Sequence, residues 1–356
     1  MILKICYDVL ITNNILIKLE TLLTLKNDQT KMITDGIPFP NEYEKKILKE
    51  LQYKSKTRKE YLRYWIWLHP SLNKYVHEFK RRRKYWNSQN WLSTFKNTDK
   101  ALPDFMIVGF PRCGTTSLWE HLDQHPRTYA PKDKELHFFS VRYDSGLDNY
   151  LLDFPTKKEK IKRKLSVFEA SPEYILYPKA MERIKTHMPK SKMIILLRNP
   201  VEQIYSQYQK FVTQGFEIEN LENLMKDDEN RLKIFTERCE NNIMKSYTSW
   251  FYIPYFSFAK YVTYIRDALR LFPKEQFLFI NSNDYFKDPL KEYNRILEFI
   301  GLASHHPNIK GKRGISPPGL FDNIVIKPET IEFLRNYFQP WNEKLFNLIG
   351  VKYDWK

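Results

Sequence analysis

One segment, a buried strand that runs into a glycine-containing loop and then a helix, constrains the fold of this chain more than any other. The apolar run Phe105–Phe110 predicts the strand, and Leu118 and Leu122 share one face of the helix that follows. Backbone N–H groups at a helix start bind anions, and the helix dipole adds to the attraction. We therefore predict a phosphate site whose loop and first helical turn contain Arg112, Cys113, Gly114, Thr115, Thr116 and Ser117.

The loop lacks the lysine that marks an ordinary nucleoside triphosphate site. Gly109 and Gly114 have the spacing of a Walker A loop, but Thr115 stands where that loop has lysine. That lysine contacts the β- and γ-phosphates, so its absence argues against an ordinary ATPase or kinase. Arg112 supplies a cation two residues before the second glycine instead. The alternative interpretation is a glycine turn that merely opens a helix.

From about Leu102 onward, short apolar runs rich in β-branched residues alternate with helical periodicity. This alternation predicts an α/β fold with a mainly parallel sheet, in which ligands bind at the carboxyl ends of the strands. The predicted strands are Phe105–Phe110, Ser166–Ala170, Lys192–Leu197 and Gln276–Ile280. Predicted helices follow Gly114, Pro178, Pro200 and Asp288, and a last one runs from Pro328 to about Leu348.

A second strand–helix junction carries another candidate anion site. The strand Lys192–Leu197 is followed by Arg198, and Asn199 is placed to cap the next helix, with Pro200 at its first position. Ser206 lies about two turns into that helix. An arginine at a strand end and a hydroxyl on the following helix can hold a phosphate group with charge-assisted bonds. A surface arginine beside a well-capped helix is the alternative for this segment alone.

The two junctions together, in this order, resemble the sulfotransferase family, whose donor is 3′-phosphoadenosine 5′-phosphosulfate (PAPS) and whose product is PAP. The resemblance implies a P-loop-NTPase-like parallel sheet flanked by helices, with no metal required. It implies that the loop from Arg112 to Ser117 holds the 5′-phosphosulfate. It also implies that Arg198 and Ser206 hold the 3′-phosphate.

Three further stretches resemble the carbohydrate branch of the family, the heparan sulfate and chondroitin sulfotransferases. These stretches are Lys134–Phe139, Phe168–Tyr174 and the tail from Tyr337 to Trp355. This resemblance implies an anionic polysaccharide or glycan as the acceptor of the sulfuryl group. It implies that Glu135 is the catalytic base and that His137 orients Glu135 or contacts the acceptor. The alternatives are a loop carboxylate paired with a neighbouring lysine and a packed histidine.

The chain departs from the branch pattern at three places. Arg112 stands where this branch normally has lysine, so we interpret it as an electrostatic stabiliser of the transition state and not as a proton donor. Ala170 stands where the heparan branch usually has lysine, which removes one expected cation near the sulfate. The family's last donor-binding loop corresponds here to Lys310, Gly311, Lys312 and Arg313. A basic surface turn is the alternative for that loop.

Basic residues are concentrated near the start of the chain. The 356 residues carry 58 Lys and Arg against 42 Asp and Glu, and residues 1–100 hold 20 of the former but only 10 of the latter. We predict that 1–100 form a basic, mostly helical extension and that 101–356 form the sulfotransferase domain. The excess charge favours an acidic partner and does not indicate a specific nucleic acid. A solvated helix face or linker is the alternative.

No apolar run is long enough to cross a membrane, and no signal peptide is recognisable, so we expect a soluble, cytoplasmic protein in preference to one of the Golgi lumen. The three cysteines have neither a disulfide framework nor zinc-site spacing. Two other functions remain open at this point. One is sulfation of a small alcohol, phenol or lipid headgroup, and the other is a polyanion-binding module that has lost catalysis.

Overall fold

The computed structural model describes residues 99–240, 252–309 and 327–355. The predicted basic extension therefore lies almost wholly outside the described residues, and the domain boundary after residue 100 stays a prediction. The loop Lys310–Arg313 also lies outside them, so its assignment to donor binding remains a prediction as well.

The described residues form a five-stranded sheet in the order β2-β3-β1-β4-β5, and every neighbouring pair of strands is parallel. The strands are β1 (Phe105–Gly109), β2 (Thr128–Tyr129), β3 (Ser166–Ala170), β4 (Lys192–Leu197) and β5 (Phe277–Asn281). This architecture confirms the prediction of an α/β fold with a parallel sheet flanked by helices. Three strand ends shift by one residue. Strand β1 stops at Gly109, and β5 both begins and ends one residue later than predicted, because a 3₁₀ turn occupies Lys274–Gln276 before it.

Eleven α-helices connect and cover the strands of the described residues. In chain order they are α1 (Thr115–Asp123), α2 (Leu147–Leu151), α3 (Lys157–Arg163), α4 (Ala180–His187), α5 (Pro200–Gln214), α6 (Leu221–Glu240), α7 (Tyr255–Phe258), α8 (Tyr261–Leu271), α9 (Ser282–Lys287), α10 (Pro289–Ile300) and α11 (Pro328–Ile349). The predicted helices after Gly114, Pro200 and Asp288 and the last helix begin where the sequence placed them.

The central strands are buried on both faces. Every residue of β1 is buried, and β4 is buried from Met193 to Leu197. Strands of this kind are near-continuous apolar runs because helices cover both sides of a parallel sheet. Each buried Val, Leu, Ile, Phe or Met side chain contributes about 1.5–3 kcal/mol to stability. Strands β3, β1 and β4 are adjacent and parallel, so their carboxyl ends meet at one edge of the sheet.

Helix α6 has a buried face that includes charged groups, which explains why its pattern does not stand out in the sequence. The Asp228 carboxylate accepts hydrogen bonds from the backbone N–H groups of Phe256 and Ser257, at 2.9 and 2.7 Å. Arg231, also buried, donates to the buried Glu217 at 2.9 Å. The helix is thus attached to the segment before it and to α7 by polar contacts at positions where apolar residues normally pack.

Candidate active site

The predicted phosphate loop joins β1 to α1 with a backbone that leaves helix amides available. Gly114 adopts a left-handed conformation with φ 91°, and no side chain among the described residues caps α1. A Cβ atom at Gly114 would also lie 2.8 Å from Cζ of Phe286. The first turn of a helix has N–H groups without intrahelical acceptors, so this junction has the construction of an anion site. Thr115 is buried there, Ser117 is half-buried and Thr116 is exposed.

Residues from the C-terminal part of the chain form hydrogen bonds that support the phosphate loop. Ser282 donates from Oγ to the carbonyl oxygen of Cys113 at 2.6 Å. The neighbouring Asn281 accepts a hydrogen bond from Nε1 of Trp355 at 3.1 Å. The Cys113 thiol is fully buried, and burial raises its pKa to about 12. Cys113 therefore contributes backbone to the loop and holds an inert thiol.

The structure brings three predicted donor-binding residues together. Arg112 donates from Nε to Oγ of Ser206 at 3.0 Å, and Arg198 donates from Nη1 to the carbonyl oxygen of Arg112 at 3.4 Å. Asn199 caps α5 as predicted, since its Oδ1 accepts from the N–H of Val201 at 3.0 Å. Burial and the nearby Arg198 guanidinium lower the pKa of Arg112. A guanidinium remains charged under these conditions, so two cations lie beside the phosphate loop.

Glu135 and His137 lie in a loop attached to the carboxyl end of β3. The N–H of Glu135 donates to the carbonyl oxygen of Ala170 at 3.0 Å, and that of His137 donates to Oγ of Ser171 at 3.2 Å. Both residues adopt left-handed conformations, with φ of 63° and 55°. Arg112, with φ 66°, does the same. Such strain in non-glycine residues is typical of functional sites, and the three predicted catalytic residues are among the five that show it in the described part of the chain, with Lys164 and Lys179.

Glu135 is surrounded by cations. Its carboxylate forms an ion pair with Lys134, and Oε2 lies 3.9 Å from Nε2 of His137. Burial opposes ionisation of this carboxyl, but Lys134, His137 and Lys210 together lower the pKa of Glu135 below its usual range. The side chain keeps 39% of its surface exposed. Glu135 is thus an ionised and accessible carboxylate at neutral pH, and it has the lysine pairing that the alternative interpretation named.

His137 has a buried carboxylate partner that sequence reasoning missed. Its Nδ1 lies 2.6 Å from Oε1 of Glu173, and the same oxygen accepts a hydrogen bond from Oγ of Ser140 at 2.9 Å. Burial alone disfavours a charged imidazole, but Glu173 and Glu135 raise the pKa of His137 above its ordinary value. His137 is therefore a hydrogen-bonded member of the loop, and it also faces Glu135.

Glu169 is an interior group. It is almost completely buried and accepts hydrogen bonds from Ser171, from Tyr174 at 3.2 Å and from Tyr150 at 3.2 Å. Burial raises the pKa of Glu169 to about 7, against the opposing effect of these hydrogen bonds. Its carboxyl supports the end of β3 and has no surface on which an acceptor could bind.

Lys210 is a further cation of the site that sequence reasoning missed. It lies one helical turn beyond Ser206 on α5, so the two side chains share a face of the helix. Burial and the Arg112 charge lower the pKa of Lys210, while Glu135 acts in the opposite direction. The spacing of four residues from Ser206 is the signal that would have found it. Lys210 therefore places a cation near Glu135.

No group of three or more His, Cys, Asp or Glu side chains in 99–240, 252–309 and 327–355 is arranged to hold a metal ion. None of the helices in those ranges is long and apolar enough to cross a bilayer.

Comparison with known proteins points to one family. Residues 102–312 match the family described as "Sulfotransferase domain". The chain is 28% identical to human heparan sulfate glucosamine 3-O-sulfotransferase 3B1 over 278 residues. This alignment covers 72% of the chain and 65% of the human protein. The chain is 24% identical to the membrane-associated sulfotransferase kil1 of Dictyostelium discoideum, with 72% and 67% covered. The chain spans slightly less than two thirds of the length of the human relative.

A solved structure shows the same architecture. The sulfotransferase from Alicyclobacillus acidocaldarius superposes with a TM-score of 0.52 and 26% sequence identity. The match covers 71% of this chain and 98% of the bacterial one.

Proposed function

The chain belongs to the sulfotransferase family, and from this membership we propose that it transfers a sulfuryl group from PAPS to a hydroxyl group of a glycosaminoglycan-like carbohydrate. An amine of the same kind of acceptor is the less favoured target. The heparan sulfate sulfotransferases among its relatives support the carbohydrate class of acceptor.

One observation carries the donor part of this proposal. Arg112, Arg198 and Ser206 come from separate segments, yet hydrogen bonds of 3.0 and 3.4 Å connect them at the carboxyl ends of β1 and β4. Beside them lie the uncapped amides that begin α1 at Thr115. Two groups of anion-binding atoms suit a nucleotide with two separate phosphate positions, and PAPS is such a nucleotide. A single surface arginine would not require this convergence.

The chemical roles follow from the charges of the site. Glu135, which stays ionised at neutral pH with its lowered pKa, accepts the proton of the acceptor hydroxyl as the new O–S bond forms. The bond between sulfur and the bridging phosphate oxygen breaks on the opposite side, and PAP leaves with the negative charge. The Arg112 guanidinium stabilises that charge electrostatically and gives up no proton. No metal is required, because the arginines and backbone donors supply the positive charge.

The cations around Glu135 favour an anionic acceptor. Lys134 contacts the carboxylate directly, and Lys210 interacts with it from α5. A sulfated or carboxylated sugar that enters beside Glu135 would find both ammonium groups within electrostatic reach. A neutral phenol or alcohol would gain nothing from either cation.

The test is transfer of ³⁵S-sulfate from PAPS to a panel that contains heparan sulfate, chondroitin, a neutral polysaccharide, a simple phenol and a lipid headgroup. We expect labelling of the glycosaminoglycans. Glu135→Gln should lower kcat by on the order of 10²–10⁴-fold while the Kd for PAP changes less than about twofold. Glu159→Gln is the matched control, because Glu159 is also a half-exposed carboxylate in an ion pair, with Arg163 at 3.0 Å.

The possible contrary results are distinct. An unchanged rate in Glu135→Gln would remove Glu135 from the mechanism. Labelling of the phenol or the lipid headgroup alone would replace the carbohydrate assignment. Tight binding of PAPS and of heparan sulfate with no labelled product would identify a binding module that does not catalyse transfer.

A further inference from the structure

A buried carboxylate, a histidine and the candidate base form a continuous series on the acceptor side of the site. Glu173 lies in the turn after β3 and places Oε1 2.6 Å from Nδ1 of His137. Nε2 of the same ring lies 3.9 Å from Oε2 of Glu135. The two ring nitrogens of His137 are thus assigned to two different carboxylates.

The surroundings fix Glu173 more firmly than they fix Glu135. Glu173 is buried, and Ser140 donates to the oxygen that His137 contacts, at 2.9 Å. The backbone of His137 is also fixed, through its N–H bond to Ser171. Glu135, by contrast, has a side chain that is 39% exposed. The ordered end of the series therefore limits the positions available to its exposed end.

We propose that Glu173 is a positioning residue for sulfuryl transfer, because it fixes Nδ1–H of His137 and so directs Nε2 at Glu135. The inference rests on the proposed function, since it assigns Glu135 the role of base. Glu173 touches neither the donor nor the acceptor in this scheme. Its action passes through the imidazole ring, which attracts the Glu135 carboxylate across the 3.9 Å between Nε2 and Oε2 when the ring is protonated.

Electrostatics reinforce the geometry. The charged groups that face His137 are Glu173, Glu135 and Glu169, which favour its protonation, and Arg142, which opposes it. Their balance raises the pKa of His137, so the imidazolium persists to higher pH than in an isolated histidine. The imidazolium is present below that pKa and is lost as the pH rises through it. Removing the Glu173 charge should therefore move the alkaline limb of the rate profile to lower pH.

Two substitutions separate the charge of Glu173 from its geometry. Glu173→Gln keeps an oxygen that can accept Nδ1–H but removes the charge. We expect about tenfold lower kcat at pH 7.5, an alkaline limb moved down by about one pH unit or more, and a PAPS KM within about twofold of wild type. Glu173→Asp keeps the charge on a shorter side chain. The alkaline limb of its rate profile should therefore lie nearer to that of the wild-type protein. Glu292→Gln, which alters another buried carboxylate, bonded to Arg295 at 2.9 Å, is the control.

A second measurement needs no turnover. The NMR titration of His137 should show a lower pKa in Glu173→Gln than in wild type, while PAP affinity and thermal stability stay close to those of Glu292→Gln. The inference would be overturned if Glu173→Gln had the kcat, the alkaline limb and the His137 titration of the wild-type protein. Loss of kcat, PAP affinity and stability together with an unmoved limb would overturn it too, since that pattern is merely structural.

The failure of this inference differs from failure of the proposed function. The proposed function fails when the wild-type protein labels no acceptor. The inference fails when wild type is active and Glu173→Gln matches it in rate and in pH profile.

Discussion

The donor side of the candidate site and its acceptor side are held by different kinds of contact. On the donor side, Arg198 directly follows β4, Gly114 directly precedes α1, and Arg112 lies in the loop between β1 and α1. Backbone atoms take part in their contacts. On the acceptor side, the N–H groups of Glu135 and His137 anchor the loop to the end of β3, but their own side chains are positioned by charged side chains. Backbone amides and guanidinium groups do not titrate near neutral pH, whereas on the acceptor side the pKa of His137 is raised above its ordinary value and that of the buried Glu169 is raised to about 7. The two sides should therefore respond differently to substitution and to pH.

The largest effect on binding is expected on the donor side. Arg198→Ala removes a guanidinium assigned to a phosphate, and charge-assisted bonds of this type are worth about 1.5–3 kcal/mol. The Kd for PAP, measured by calorimetry, should rise by about 10- to 100-fold. Arg198 forms an ion pair with Glu202, four residues away, at 2.9 Å. Arg163→Ala is the matched control, because Arg163 likewise pairs with a glutamate four residues away, Glu159, at 3.0 Å. Equal PAP affinity in Arg198→Ala and wild type would refute the assignment of a second phosphate position.

A smaller effect, on acceptor binding instead of nucleotide binding, is expected from Lys210→Met. The substitution removes a cation near Glu135 but leaves the phosphate loop intact, so the KM for a sulfated acceptor should rise by about tenfold. The dependence of that KM on salt should weaken at the same time, because fewer charges attract the acceptor. Steady-state kinetics at two ionic strengths measure both quantities, with Lys226→Met on the exposed face of α6 as control. An unchanged KM for the anionic acceptor would separate Lys210 from acceptor binding.

The smallest effect concerns stability on the acceptor side. Glu169 has a pKa raised to about 7 by burial, so its protonated form favours the fold. That contribution is complete below the ordinary pKa of 4.5 and is lost as the pH rises through about 7. Glu169→Gln, which resembles the protonated acid, should lose about 3 °C less in Tm than wild type between pH 5 and pH 8. Parallel Tm curves for the two proteins would contradict this.

Sequence could predict where the residues of the donor side lie, while their part in donor binding stays a prediction. Arg112, Arg198 and Ser206 could be located because a strand end and a helix start leave local signals in the sequence, namely an apolar run, a glycine and a capping asparagine. The core strands β3 and β4 have the bounds that their apolar patterns indicated. Glu135 was identified through family resemblance, and the structure brings it near Lys210, whose pKa responds to both Glu135 and Arg112.

The rest depended on long-range contacts that leave no local pattern. Glu173 meets His137 across 36 positions of the chain, so no spacing in the sequence connects them. Helix α6 escaped prediction because Asp228 and Arg231 occupy its buried face, and a polar residue in that place hides the helical period. In both cases a buried polar group is satisfied by a partner that only the folded chain supplies.

The support behind the phosphate loop has a consequence for synthesis of the protein. The hydroxyl that bonds the Cys113 carbonyl belongs to Ser282, which is 169 residues further along the chain, and Trp355 reinforces the adjoining Asn281 later still. At about 5–20 residues per second, a ribosome needs roughly 10–35 s to progress from the loop to its support. During that interval the loop can form its nearer contacts, from Arg198 and Gln203 to its carbonyl oxygens, but not the one from Ser282. The phosphate loop therefore gains its full set of contacts only after the last part of the chain has been made.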